Sequence, residues 1–212
     1  MVRGEWSRKL RTSEMPEHET AAVFDALAEL MELPAERAIP LELPGRWWVA
    51  HTKPRTEKAL ARELQHMGLT YYLPLRRRQT RSRKTGRVSR SLLPVFSGYL
   101  FFNATEDEKY RALRTNRIAQ VLAPPNAERL VIELRHIHRV LSANLDYKLH
   151  SEIKLGEWVR VAAGPLRGAE GVVSGRLSRA RLVLNVGMLG QSISVSVDRE
   201  DLERIEAPRS YR

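Results

Sequence analysis

Between Arg76 and Arg90 the chain places eight basic side chains and no acidic one: Arg76, Arg77, Arg78, Arg81, Arg83, Lys84, Arg87 and Arg90. No Asp or Glu occurs anywhere between Glu63 and Glu106, so this charge has no local compensation. Without the eight, the formal net charge would fall from +11 to +3. A cluster of guanidinium groups displaces counterions from phosphates regardless of base sequence, which makes a nucleic-acid backbone the expected ligand. A solvated loop that only aids solubility is the competing reading. Stretches with strand character flank the run, so it should project as a hairpin tip or long loop.

A second group is apolar. Leu92-Leu93-Pro94-Val95-Phe96-Ser97-Gly98-Tyr99-Leu100-Phe101-Phe102 carries too many large side chains for one covered face, because a strand turns successive residues to opposite sides. Phe96 and Tyr99 bracket the Ser97–Gly98 break, and with Tyr71, Tyr72 and Leu73 they could form an exposed apolar patch of the kind that marks a binding surface. Plain core packing is the alternative. A third group, Val159–Val173, runs from a strand into a Gly164-Pro165 turn and a second strand. Its glycine spacing is not that of a dinucleotide fingerprint, and no helix follows it.

Catalytic chemistry finds little support. His51, His66, His136, His138 and His150 are scattered, and His136 and His138, two apart on a helix, point to different faces. There is no phosphate-binding Walker loop, no pair of histidines at zinc-protease spacing and no Gly-x-Ser-x-Gly elbow. The chain contains no cysteine, which removes disulfides, thiolate metal sites and a thiol nucleophile. Neither a catalytic role nor a cofactor or metal is expected. The 212 residues suit one large or two small domains, and 42% hydrophobic against 29% charged residues argues for a folded chain. No apolar run approaches a spanning helix and the first residues lack a signal-peptide core, so the expectation is a soluble cytoplasmic protein.

The elements that must hold these groups follow from periodicity. Residues 1–45 read as an extension with one amphipathic helix near 19–31, where Val23, Leu27, Leu30 and Met31 share a face. A domain over 46–142 begins with a strand at 47–51. A helix over 54–67 follows, capped by Thr52 and stopped at Gly68. Strands are expected at 69–75, 95–103 and 118–122. Thr105 and Glu108 form a capping box for a helix to about residue 114, and a last helix spans 127–141. This β-α-β-β-α-β order predicts an α+β, ferredoxin-like antiparallel sheet with helices on one face. Residues 143–153 read as a linker. Short strands punctuated by glycines over 154–207 predict a small β-barrel.

Trp48 through Leu122 resembles the N-terminal domain of the NusG family of transcription elongation factors. The resemblance rests on Trp48-Val49, Lys53-Pro54 through Glu57, Tyr72-Leu73-Pro74 and Pro94 through Phe101. Leu155–Ile205 resembles the family's KOW domain, an SH3-like barrel, with Val159–Val173 as its signature. The resemblance implies that Tyr72, Leu73, Phe96 and Tyr99 grip the clamp helices of the RNA polymerase β′ subunit. It implies that the basic hairpin lies near upstream or non-template DNA, with nascent RNA as an alternative. It also implies that Met188 and Leu189 contact either termination factor Rho or ribosomal protein S10.

Where the family usually has Phe-Pro-Gly-Tyr, this chain has Phe96-Ser97-Gly98-Tyr99, and Leu189 replaces a common aromatic. These departures and the unusually basic hairpin resemble a specialised antiterminating paralogue of the RfaH or LoaP kind, acting as a monomer. The RfaH barrel can refold as a helical hairpin. Here Val172, Val173, Val183, Val186, Ile193, Val195 and Val197 favour strand. A ribosome-associated KOW-type RNA-binding protein is the alternative function.

Overall fold

The computed structural model describes residues 33, 35–81, 86, 88–151, 156–174 and 179–208. The helix expected near 19–31 lies outside them. Strand β1 (Arg46–Thr52) turns Trp47 and Val49 to one side and Trp48 and Ala50 to the other, and all four are buried. A strand buried on both faces needs a layer on each. It sits inside a four-stranded antiparallel sheet of order β2-β5-β1-β6, built with β2 (Tyr71–Tyr72), β5 (Tyr99–Ala104) and β6 (Ile118–Leu122). That order is the ferredoxin-like one. Trp48 lies opposite Phe102 and Val49 opposite Phe101 on β5.

Helix α1 (Ala35–Ala38) precedes β1, α2 (Glu57–His66) follows it, and α3 (Glu106–Leu113) follows β5. Leu60, Ala61 and Leu64 of α2 and Ala112 of α3 pack with Trp48, Ala50, Leu100 and Phe102. Leu60 and Leu64 are fully buried, a contribution of roughly 1.5–3 kcal/mol each. The capping box forms as expected: the Glu108 amide donates to Thr105 Oγ1, and the Thr105 amide donates to Glu108 Oε2 at 2.8 Å. Thr52 does not cap α2, because it ends β1. The N-cap is Thr56, whose hydroxyl donates to the Lys53 carbonyl at 2.8 Å.

The last helix, α4 (Ala127–Ser142), corrects the expectation that the helices share one face. Leu130, Val131, Leu134 and Ile137 join a core with Trp47, Val49 and Phe101, on the side of the sheet away from α2. Nine of its residues are buried, too many for a single amphipathic stripe. The excess is explained by two further neighbours. Residues 35–40 lie along α4, where Arg135 donates to the Ile39 carbonyl at 2.9 Å and Arg139 pairs with Glu36 at 2.7 Å. The barrel supplies the other.

The barrel strands are β8 (Glu157–Val161), β9 (Glu170–Ser174), β10 (Arg179–Val186), β11 (Gln191–Asp198) and β12 (Leu202–Arg204). A sixth strand, β7 (Tyr147–Ser151), joins them in the order β12-β8-β9-β10-β11-β7. It comes from the segment read as a linker and pairs with β11 from Tyr147↔Val195 to Gln191↔Ser151. The valines that favour strand lie in β9, β10 and β11. Gly171 lets β9 approach β10: an added Cβ would stand 2.4 Å from the Val183 carbonyl oxygen.

Candidate nucleic-acid and partner interfaces

Strands β3 (Leu75–Arg81) and β4 (Val88–Pro94) form a two-stranded ribbon separate from the main sheet. Its register pairs Leu75 with Pro94 at the base and Arg81 with Val88 at the far end. Arg76, Arg77, Arg78 and Arg81 are exposed. Because side chains alternate, Arg76 and Arg78 leave one face of the ribbon and Arg77 and Arg81 the other. The ribbon thus offers positive charge on both faces, which suits a polyanion that can lie along either side. Arg90 stands opposite Gln79 on β4. Arg83, Lys84 and Arg87 lie outside the described residues.

The aromatic segment departs from expectation. The strand expected at 95–103 begins only at Tyr99, because the chain breaks at Ser97–Gly98, where Gly98 takes φ +82°. Three contacts hold that turn. The Gly98 amide donates to Glu57 Oε1 at 2.8 Å, the Thr52 amide donates to the Gly98 carbonyl at 2.8 Å, and the Tyr99 amide reaches the Phe96 carbonyl at 3.2 Å. The Glu57 carboxylate is buried at the start of α2. It therefore supplies part of the rigidity that a proline at position 97 would have given.

The expected exposed patch is not on the surface. Phe96 is 0% exposed, and Tyr72 and Leu73 are also buried. Phe96 and Tyr72 belong to the core that includes α4 and barrel side chains, whereas Leu73 belongs to the core on the α2 face. Tyr99 alone of the four is partly exposed, stacked on His51 with centroids 5.2 Å apart. Tyr72 hydroxyl lies 3.2 Å from His138 Nδ1, and His138 Nε2 lies 2.8 Å from the Leu33 carbonyl. The neutral ring satisfies both by donating from Nε2 and accepting at Nδ1. Burial pushes the Tyr72 hydroxyl up and the His138 ring down in pKa.

Met188 and Leu189 sit in a 3-10 turn between β10 and β11, both partly buried against the shared core. The turn is tied to α4: the Gly187 amide donates to Glu133 Oε2 at 3.1 Å, and Arg129 Nε donates to Glu133 Oε1 at 3.0 Å. One turn further along α4, His136 is buried and hydrogen-bonded to the backbone of Glu170 on β9. Burial, aided by the charge of Arg139, pushes its pKa down to about 4. His136 and His138 thus do face different ways, one toward the barrel and one toward residue 33. Sequence reading missed Glu57, Glu133 and His138 as structural holds. The one available signal was the two-residue spacing of the histidines.

Among the described residues no cluster of His, Asp or Glu could hold a metal ion, and no helix is long and apolar enough to cross a membrane. No curated protein matches the chain. A solved structure, described as a crystal structure of an MjSpt4:Spt5 complex in conformation B, is similar at 15% identity. The likeness covers 77% of this chain and 99% of that one, with a TM-score of 0.27. Residues 45–141 match the family model NusG, described as transcription termination factor nusG.

Proposed function

From the match of residues 45–141 to the NusG family model, we propose that this protein is a transcription elongation factor that rides on RNA polymerase. The observation that carries the reading is the family domain's own arginine ribbon, exposed on both faces at Arg76, Arg77, Arg78 and Arg81. A domain anchored on the polymerase would hold that ribbon against the DNA or RNA entering or leaving the enzyme. Local concentration then does most of the work, so the phosphate contacts need not be tight by themselves.

The family's polymerase contact would involve Phe96, Tyr99, Tyr72 and Leu73. In the arrangement described, the partly exposed Tyr99 and the exposed Ser97 are the accessible part of that surface. Engagement of Phe96 would require part of its covering to move away. A factor that binds the active polymerase conformation more tightly shifts the population toward it and shortens pauses. We assign the barrel to a second partner, Rho or ribosomal protein S10, through Met188 and Leu189. The density of the arginine ribbon supports a specialised antiterminating member, located in the cytoplasm.

The test is binding to reconstituted elongation complexes, read by co-elution. Phe96→Ala is a poor probe, because emptying a fully buried aromatic site costs roughly 3–5 kcal/mol of fold stability. Ser97→Glu and Tyr99→Ala act at the accessible turn instead. Co-elution of the parent protein, lost in the Ser97→Glu variant, is the expected result. Failure of the parent protein to co-elute, with co-purification on mature ribosomal subunits, would favour the ribosome-associated alternative.

A further inference from the structure

A cleft of about 340 Å³ separates the base of the arginine ribbon from the start of the barrel sheet. Leu75, Arg76 and Arg77 form one wall, Leu145 and Asp146 lie at the turn after α4, and Tyr147 and Leu149 form the other wall. Three features meet in this cleft.

The first is backbone. Strand β7 pairs with β11 and has no strand on its other side among the described residues. Among the described residues, strand β3 pairs only with β4. Unpaired peptide groups on an edge strand are a template for an added strand. The second is apolar surface. Leu149 is 43% exposed, in a position where an incoming side chain could cover it. The third is polar. The Tyr147 hydroxyl is buried with no hydrogen-bond partner among the described residues. Arg76 is close enough for its charge to act on that hydroxyl.

We infer that this cleft takes an extended acidic segment of a partner protein, added as a strand along β7, with a carboxylate received by Arg76. Charge complementarity sets the acidic requirement, and Leu149 sets the need for apolar residues in alternation with it. Nucleic acid fits less well. It has no peptide groups to complete the β7 edge, and the cleft carries Asp146 and four leucines beside its two arginines. The inference goes beyond the polymerase reading and does not depend on it.

The experiment uses the full chain and a fluorescein-labelled decapeptide of alternating Glu and Val. A decapeptide of alternating Lys and Val and a single strand of twelve deoxythymidines serve as comparisons. The Glu/Val peptide should bind and shift the amide resonances of Tyr147–Ser151. Arg76→Glu and Leu149→Asp should each weaken it by about tenfold or more. Leu149 is exposed, so its variant should fold, and dispersed amide resonances would verify that. Arg114→Glu, on the exposed end of α3, controls for overall charge and should leave peptide affinity within about twofold. Absence of binding at about 1 mM, or equal binding of the Lys/Val peptide, overturns the inference. So does a deoxythymidine strand that shifts the β7 amides when the Glu/Val peptide does not.

Discussion

Glu133 is a carboxylate with only 2% of its side chain exposed, and its two oxygens are spent on Arg129 and the Gly187 amide. Glu133→Ala leaves both donors without that acceptor and should cost roughly 2–4 kcal/mol in urea unfolding. Glu133→Gln keeps an oxygen for Gly187 and should cost less. His136 gives a pH dependence whose sign is fixed. Its pKa is pushed down to about 4 in the folded chain from the ordinary imidazole value of 6.5. Between those values the unfolded chain binds more protons, so stability rises with pH across that window. The contribution is fully present above about pH 6.5 and lost as pH falls through about 4, on the order of 3 kcal/mol at most. Unfolding midpoints of His136→Gln should be flatter than the parent's over that range. At this scale the sequence showed which groups were basic, aromatic or paired on a helix, and missed the holds. Glu57 meets Gly98 across 41 positions, Glu133 meets Gly187 across 54, and His138 meets Leu33 across 105. Local spacing carries no trace of such contacts.

Among the elements, the arginine ribbon yields the most direct measurement. Replacing Arg76, Arg77, Arg78 and Arg81 by Gln removes four potential phosphate contacts. The slope of log K against log salt for duplex DNA should become shallower by about 3–4. An unchanged slope would return the ribbon to a solvated loop. The barrel makes a separate prediction. Gly171→Ala would press a methyl against the Val183 carbonyl oxygen, and it should destabilise the chain by roughly 1–3 kcal/mol in urea unfolding. Elements with local chemistry were legible. Strand 118–122 and the Thr105–Glu108 box appear where their residues placed them. The aromatic strand starts four residues late, because Gly98 takes a positive φ that alternation alone does not reveal. Strand β7 was hidden for another reason. Tyr147-Lys148-Leu149-His150-Ser151 is polar enough to pass for a linker, and it becomes a strand only because β11 presents an open edge.

For the molecule as a whole, α4 decides the arrangement. It covers one face of the ferredoxin-like sheet, receives residues 35–40 along its length and holds the barrel through Glu133 and His136. The two domain types were legible from strand order and glycine punctuation. Their sharing of one core was not, since each domain's pattern reads as self-sufficient. The same sharing explains why Phe96 and Tyr72, expected at the surface, are buried. The net charge of +11 promotes association with nucleic acid but cannot select a transcribing enzyme, so the proposed polymerase contact is assigned to the domain over residues 45–141. The most direct measurement is the half-life of a defined pause, transcribed in vitro by purified RNA polymerase with and without this protein. A shorter half-life is expected with the parent protein, and a return toward the factor-free value with Ser97→Glu. A half-life indifferent to the parent protein, at concentrations where a known NusG-family member shortens it, would rule out action on the elongating polymerase.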